Sequence, residues 1–225
     1  MLFNFSYKPY IAIIGDIKNS KKIEDRSKIQ EQLNRTLDKI NQNYKSDISS
    51  KFIITLGDEF QGLLENGSNI LHIIETIQWD MYPIVIRFGI GVGAVTTDIN
   101  SAMSIGADGP TYYMARQAIE FLKENEQKNK TYLSNIRVEV DEDTNEVADI
   151  INTILSLLTV LKENWTERQR EIILDFLKHQ DGQEKTAKRL GIVQSTVQRG
   201  LKNGNYYSYK EAIDTVNKVF SKIIR

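Results

Sequence analysis

The chain has 225 residues, of which 40% are hydrophobic and 26% charged, and its formal net charge is -1. That is the composition of an ordinary folded chain of one or two domains, long enough that burying a core is no obstacle. It contains no cysteine, which excludes disulfide scaffolds, thiolate zinc sites and cysteine nucleophiles, and its two histidines, His72 and His179, are too far apart in sequence to suggest a metal cluster.

The small net charge hides an asymmetry. Residues 151–225 carry 13 Lys+Arg against 8 Asp+Glu, and residues 1–150 carry 16 against 22. An acidic front and a basic tail suggest two parts with different partners. The opening MLFNFSYKPY has no basic segment followed by a long apolar one, so no signal peptide is expected. The apolar stretch from Ile151 to Leu161 is too short to span a bilayer, and a cytoplasmic location is the default expectation.

In chain order, YIAIIGD (Tyr10 to Asp16) reads as a buried strand ending in Gly-Asp. Ile29, Leu33, Leu37, Ile40 and Tyr44 recur every three or four residues and predict a helix. KFIITL and FQGLL then predict two short strands joined through Gly57-Asp58-Glu59. NGSNILHIIETIQWDM follows as a buried helix begun near Asn66 or Ser68. In the strand YPIVIRFGIGVGAVTT, Gly89, Gly91 and Gly93 fall at alternate positions and clear one face of side chains, so something is expected to lie against the backbone there. A glycine-rich turn leads into a helix at about Thr111, and TYLSNIRVEV predicts a further strand. The order β-α-β-β-α-β-α-β implies an α+β, ferredoxin-like core, a sheet with helices on one face, plus an added helix and strand, over residues 1–145. Acidic DEDTNE marks its end, 146–163 reads as a connecting helix, and 164–225 as a small all-α domain.

A metal ion that activates a nucleotide needs carboxylate ligands, with phosphate and water filling the other positions. Asp16 ends the first strand and Asp58 sits at the hairpin turn, and the predicted topology makes those elements neighbours. IKNS (Ile17 to Ser20) offers backbone N–H groups and the Ser20 hydroxyl to phosphates. Against this stands a plain turn, since Gly-Asp is common in hairpins. Glu59 is expected to point to the opposite face from Asp58.

IGDIKNS followed by ITLGDEFQGLL resembles the nucleotide cyclase superfamily, IRFGIGVGAVT is similar to its glycine-rich strand, and GADGPTYYMARQA is similar to its class III helix start. Over nearly the whole chain the sequence resembles the SatD-like proteins, which join such a domain to a C-terminal helix-turn-helix. The resemblance implies a cyclase-type fold, Asp16 and Asp58 as ligands of Mg²⁺ or Mn²⁺, Ile17, Asn19, Ser20 and Gly57 against the phosphates of a nucleotide, and Arg116 as the transition-state arginine. Tyr112 stands where class III cyclases have Asn, Ile54 where they have a base-selecting Lys, and Leu56 where the diguanylate signature has its first glycine. These departures point to nucleotide binding more than to any named cyclisation.

In the tail, Thr166 with Gln169 three residues on forms a capping box that starts a helix with Ile172, Ile173, Phe176 and Leu177 on one stripe. In EKTAKRLGIVQSTVQRGL, Ala187, Gly191 and Val197 have the spacing of a helix-turn-helix, with a small residue at the crossing, a left-handed turn and a buried anchor. Gln194, Ser195, Gln198 and Arg199 would then face the bases of double-stranded DNA, and Lys185, Lys188, Arg189 and Lys202 its phosphates. The plain alternative is a helical module with a solvated basic face. Trp165 and His179 read as packing residues, and NYYSY (Asn205 to Tyr209) as a loop or an aromatic lid. The expected function is a homodimeric, nucleotide-responsive DNA-binding regulator; the alternatives are an active nucleotidyl-transferring enzyme and a protein-interaction module.

Overall fold

The computed structural model describes residues 5–104, 106–128, 134–141 and 146–223. Among these the chain runs β1 (Tyr10–Ile17), α1 (Arg26–Asn43), β2 (Ile48–Leu56), β3 (Glu59–Leu64), α2 (Ile70–Met81), β4 (Ile86–Gly93), α3 (Pro110–Gln127), β5 (Ile136–Val140), α4 (Glu146–Glu163), α5 (Glu167–His179), α6 (Gln183–Arg189), α7 (Gln194–Asn203) and α8 (Tyr206–Phe220). Residues 131–133 of the last predicted strand and 142–145 of the acidic segment lie outside the described residues.

The chain divides into two compact units, residues 1–156 with 216–225, and residues 157–215. The first holds a five-stranded mixed sheet of order β2-β3-β1-β4-β5. β1 is antiparallel to both β3 and β4, β2 is antiparallel to β3, and β5 joins the edge parallel to β4. The first four strands thus have the split β-α-β order that the sequence predicts. β1 is central and buried along almost its whole length, which explains its unalternating apolar run.

Helices occupy both faces of this sheet, not one. Ala12, Ile14 and Leu63 form one core cluster with Tyr112, Ala115 and Ile119 of α3. The odd-numbered residues of β1 point the other way and are as deeply buried, leaving that face to α1 and α2. α1 starts at Asp25, whose side chain accepts from the Lys28 N–H at 3.3 Å, and buries Leu33, Leu37 and Ile40. α2 begins one residue after Asn69, slightly later than the sequence suggests.

What lies against the glycine strand is the backbone of α3. A Cβ on Gly91 would sit 2.0 Å from the Thr111 carbonyl oxygen, and one on Gly89 2.2 Å from that of Ala115. Thr111, fully buried, accepts from the Ala12 N–H at 3.1 Å and donates to the Gly91 carbonyl at 2.9 Å. Pro110 opens the helix where a missing N–H costs nothing.

The second unit is helical. The Thr166–Gln169 capping box is formed, and Trp165 donates its ring N–H to the Gly204 carbonyl at 2.7 Å. Ile172 of α5 lies on Gly200 of α7, where a Cβ would meet its Cδ1 at 2.6 Å. Gly191, between α6 and α7, has φ 62 with open space around it, so glycine is needed there for the turn and not for room. The NYYSY segment is the first turn of α8, not a lid.

Gly91→Ala is expected to destabilise the protein by about 2 kcal/mol, because the added methyl meets helix backbone that cannot rotate away. Gly191→Ala should cost about 1 kcal/mol through left-handed strain alone. Urea unfolding followed by circular dichroism checks both, and the order of the two variants tests whether close packing or turn geometry is the tighter constraint.

Candidate functional site

β1 ends, β3 begins and β4 begins at the same end of the sheet. The register pairs Asp16 with Glu59 on one side and with Arg87 on the other. Cross-strand partners share a face, so Glu59, Asp16 and Arg87 form a row on the side covered by α3. That helix supplies Arg116, Lys123 and Glu126.

Asp16 is only 7% exposed, and both its oxygens are taken. One accepts from Arg87 Nη1, and the other lies 2.8 Å from Lys123 Nζ. Arg87 continues to Glu126, with Nη2 to Oε2 at 2.5 Å and Nε to Oε1 at 3.2 Å, and Lys18 pairs with the same carboxylate. Burial alone would raise the Glu126 carboxyl, but the bonds from Arg87 and Lys18 hold it below the usual range.

Asp58 is turned to other partners. Its carboxylate accepts from the Ser20 hydroxyl, and with Ile17, Ser20, Arg26 and Gly57 it lines a hollow of ≈ 100 Å³. Gly57 has φ 62, and its carbonyl accepts from Gln30 Nε2 at 3.0 Å. The Ile17 N–H donates to the Asp58 carbonyl at 3.1 Å and the Lys18 N–H to the Val85 carbonyl at 2.9 Å, so neither is free for a phosphate. Asn19, at φ 54, makes the left-handed turn that leads into Ser20. The expected phosphate groups are therefore gathered at one end, but Ile17 and Ser20 are committed to Asp58.

Glu59 does not turn away from the site: it stands beside Asp16. Its carboxylate makes no hydrogen bond or ion pair among the described residues. Burial pushes its pKa above the ordinary value; Lys123 and Arg116 oppose that rise, and the charges of Asp16 and Asp58 add to it. Arg116 is exposed on α3 and within electrostatic reach of Glu59 and Tyr112. Tyr112 itself is 1% exposed and part of the core, with its pKa pushed up to about 12 mainly by burial. Leu56 is 74% exposed at the hairpin tip.

A divalent ion needs carboxylate oxygens that are not already neutralised. Here a guanidinium and an ammonium hold both oxygens of Asp16, Asp58 is bonded to Ser20, and among the described residues no group of three or more His, Asp or Glu could hold a metal ion. The arrangement does not fit the expected Mg²⁺ or Mn²⁺. Arg87, Lys123 and Glu126 were not singled out in the sequence, although two signals were there. Arg87 precedes Gly89 by two and so shares its face, and Ile119, Lys123 and Glu126 follow helical spacing.

In the helical unit, Gln194, Ser195, Gln198, Arg199 and Lys202 are exposed on α7 above the buried Val197 and Leu201. Lys185 and Lys188 are exposed on α6. Arg189 is engaged within the unit, reaching Asp175 at 2.6 Å and Asp181 at 2.7 Å. Gln194 donates to Gln183 at 3.2 Å, and His179 is exposed beside Asp175 rather than packed.

The fold is α+β, a five-stranded mixed sheet covered by helices, with the charged row at one end of it. The SatD family model matches residues 10–219, and the chain belongs to that family. Among solved structures it is similar to the catalytic core of a rhodopsin-guanylyl cyclase with converted specificity, in complex with ATPalphaS, at 17% identity and a TM-score of 0.37, covering 50% of this chain and 72% of that one. It is also similar to the non-canonical dimeric guanylyl cyclase domain of the RhoGC fusion protein from the aquatic fungus Blastocladiella emersonii, at 17% identity and a TM-score of 0.38, covering 50% and 74%. A third is the guanylate cyclase domain of RhGC from Catenaria anguillulae in complex with GTP, at 16% identity and a TM-score of 0.37, covering 50% and 73%. No curated protein matches. No helix among the described residues is long and apolar enough to cross a membrane.

Arg87→Met strands Asp16 and Glu126 without their shared cation and should cost about 3 kcal/mol in urea unfolding. Glu59 tests the sign of its own shift. A carboxyl whose folded pKa lies above its unfolded value binds its proton more tightly in the native state, so stability falls as pH rises through that window. Glu59→Gln should therefore raise the melting temperature at neutral pH, and the gain should vanish below 4.5, the ordinary glutamate value. Glu126, held low, acts in the opposite sense, and its contribution is lost as pH falls below that value.

Proposed function

We propose that this SatD-family protein is a DNA-binding regulator. Its helical unit docks α7 in the major groove as the second helix of a helix-turn-helix, and its α+β unit takes a nucleotide at the Asp16–Asp58 end. The observation that carries the first part is the division of α7 into a buried row, Val197 and Leu201, and an exposed row of amides, a hydroxyl and two cations. Gln194, Ser195, Gln198 and Arg199 are the chemistry that reads base edges, and Lys185, Lys188 and Lys202 the chemistry that grips phosphates. Arg189 has a structural part in this reading, tying α6 to Asp175 of α5. A homodimer would present two such readers to paired half-sites.

The second part is supported by the exposed Arg116 and the partly exposed Lys123 beside Glu59, which give a phosphate two cations to meet. No divalent ion is assigned to Asp16. The regulator is preferred over an active nucleotidyl-transferring enzyme because Arg87 and Lys123 already occupy the carboxylate that such chemistry would use.

Selection of full-length protein on random duplexes should recover a defined sequence. Arg199→Ala should bind the selected duplex more weakly by about 1–3 kcal/mol and with relaxed specificity, while Lys202→Ala should weaken all duplexes alike and flatten the salt dependence. Retention of every duplex equally by wild type and Arg199→Ala would sink the DNA reading. For the ligand, calorimetry with nucleoside triphosphates should show binding that Lys123→Met weakens, without pyrophosphate release. Pyrophosphate appearing would favour the enzyme instead.

A further inference from the structure

Between α3, β5 and α4 lies a separate hollow of ≈ 350 Å³. Its walls include Phe121, Leu122 and Ile136, and among its several polar side chains are Asn125, Arg137 and Asp149. None of these belongs to the Asp16–Asp58 end.

Asn125 is the informative residue. It is 7% exposed, yet its side-chain amide makes no hydrogen bond among the described residues. The polar atoms of this amide open on the hollow, where they can bond water or a guest. Arg137 lays its guanidinium over the Phe121 ring, 3.5 Å from the centroid, and donates Nε–H to Glu139 at 2.6 Å. Its two terminal nitrogens keep their hydrogens uncommitted among the described residues. Asp149, exposed on α4, forms no ion pair there either. A cation with spare donors and a spare carboxylate thus line one cavity without pairing to each other. That is complementary to a ligand carrying both charges.

We propose that this cavity binds a small zwitterion of the α-amino-acid class. The ligand's carboxylate takes the terminal nitrogens of Arg137, which present the planar fork that suits it. Its ammonium takes Asp149. Asn125 meets a polar group of the ligand's side chain, and Phe121, Leu122 and Ile136 enclose the remainder. The volume is at the small end of ligand sites, as a guest of this size requires. The inference stands apart from the nucleotide and DNA readings.

Thermal-shift and calorimetric titration of the full-length protein with each common amino acid tests it. At least one should bind saturably, and its methyl ester and its N-acetyl derivative should each bind about tenfold more weakly or worse, since each loses one charged partner. Asp149→Asn and Asn125→Leu should show the same loss. Ser156→Phe, which fills the hollow while keeping every charge, should abolish binding and serves if the Asn125 variant does not fold. The proposal is overturned if no amino acid binds, if the ester binds as well as its parent, or if Asp149→Asn leaves the affinity unchanged.

Discussion

The contact on which the α+β unit depends is the approach of the α3 backbone to the central strands. Each turn of an α-helix rises about 5.4 Å, and two residues of a strand advance about 6.6 Å, so the two can stay nearly in step over a short distance. Gly91 meets Thr111 and Ala115, and Gly89 meets Ala115 and Ile119. One step further along the strand stands Arg87, and one turn further along the helix stands Lys123. The same period that packs the glycines therefore brings Lys123 to the row of Asp16 and Arg87. With side chains at positions 89 and 91 the helix would be held off, and the charged groups of the two elements would not meet.

That placement creates an electrostatic situation the sheet end must resolve. Asp16, Asp58, Glu59 and Glu126 approach one another, and Lys18, Arg87, Arg116 and Lys123 stand among them. Arg87 joins Asp16 to Glu126 and is shielded from water, with 12% of its side chain exposed. A guanidinium with a fixed fork can serve two carboxylates at once, which a lysine in its place could not do as well. Asp16 and Glu126 are thus compensated by Arg87, Lys123 and Lys18, while Asp58 is bonded to Ser20 and Glu59 stands outside the pairing among the described residues. A metal ion at Asp16 would have to displace two bound cations, and its attraction would be offset by their loss.

Much of this fold is written in local patterns. The β-branched run at Tyr10–Asp16, the Gly-Asp hairpin and the helical periods of α1 and α5 act over a few residues, and the strand order follows from few alternatives. The empty face of Gly89, Gly91 and Gly93 was legible as a close approach, but not what approaches: a helix backbone and a ligand need the same clearance. Asp16 and Asp58 were legible as neighbours in topology, and they do share a sheet end. Their partners were not legible, because Arg87 and Lys123 lie 71 and 107 positions further along the sequence from Asp16, and only the assembled register brings them in. Glu59 was expected to alternate away from Asp58, and the register does put it in the row of Asp16 while Asp58 turns to Ser20; what the alternation could not give was that Asp16 would be its neighbour.

The two cations on Asp16 are unequal, and the difference bears on how an anion could enter. Arg87 is enclosed and anchored at its far side by Glu126. Lys123 has 40% of its side chain exposed, a flexible stem and a single partner in the network. An incoming phosphate would compete with Asp16 for Lys123 and leave Arg87 where it is. As Lys123 turned outward, Asp16 would keep one cation and Glu59 would lose a neighbour that stabilises its charge, so its proton affinity would rise further. A ligand drawn by Lys123 and Arg116 would then take up a proton at Glu59 on binding, which makes its affinity greater at lower pH within the range where Glu59 titrates.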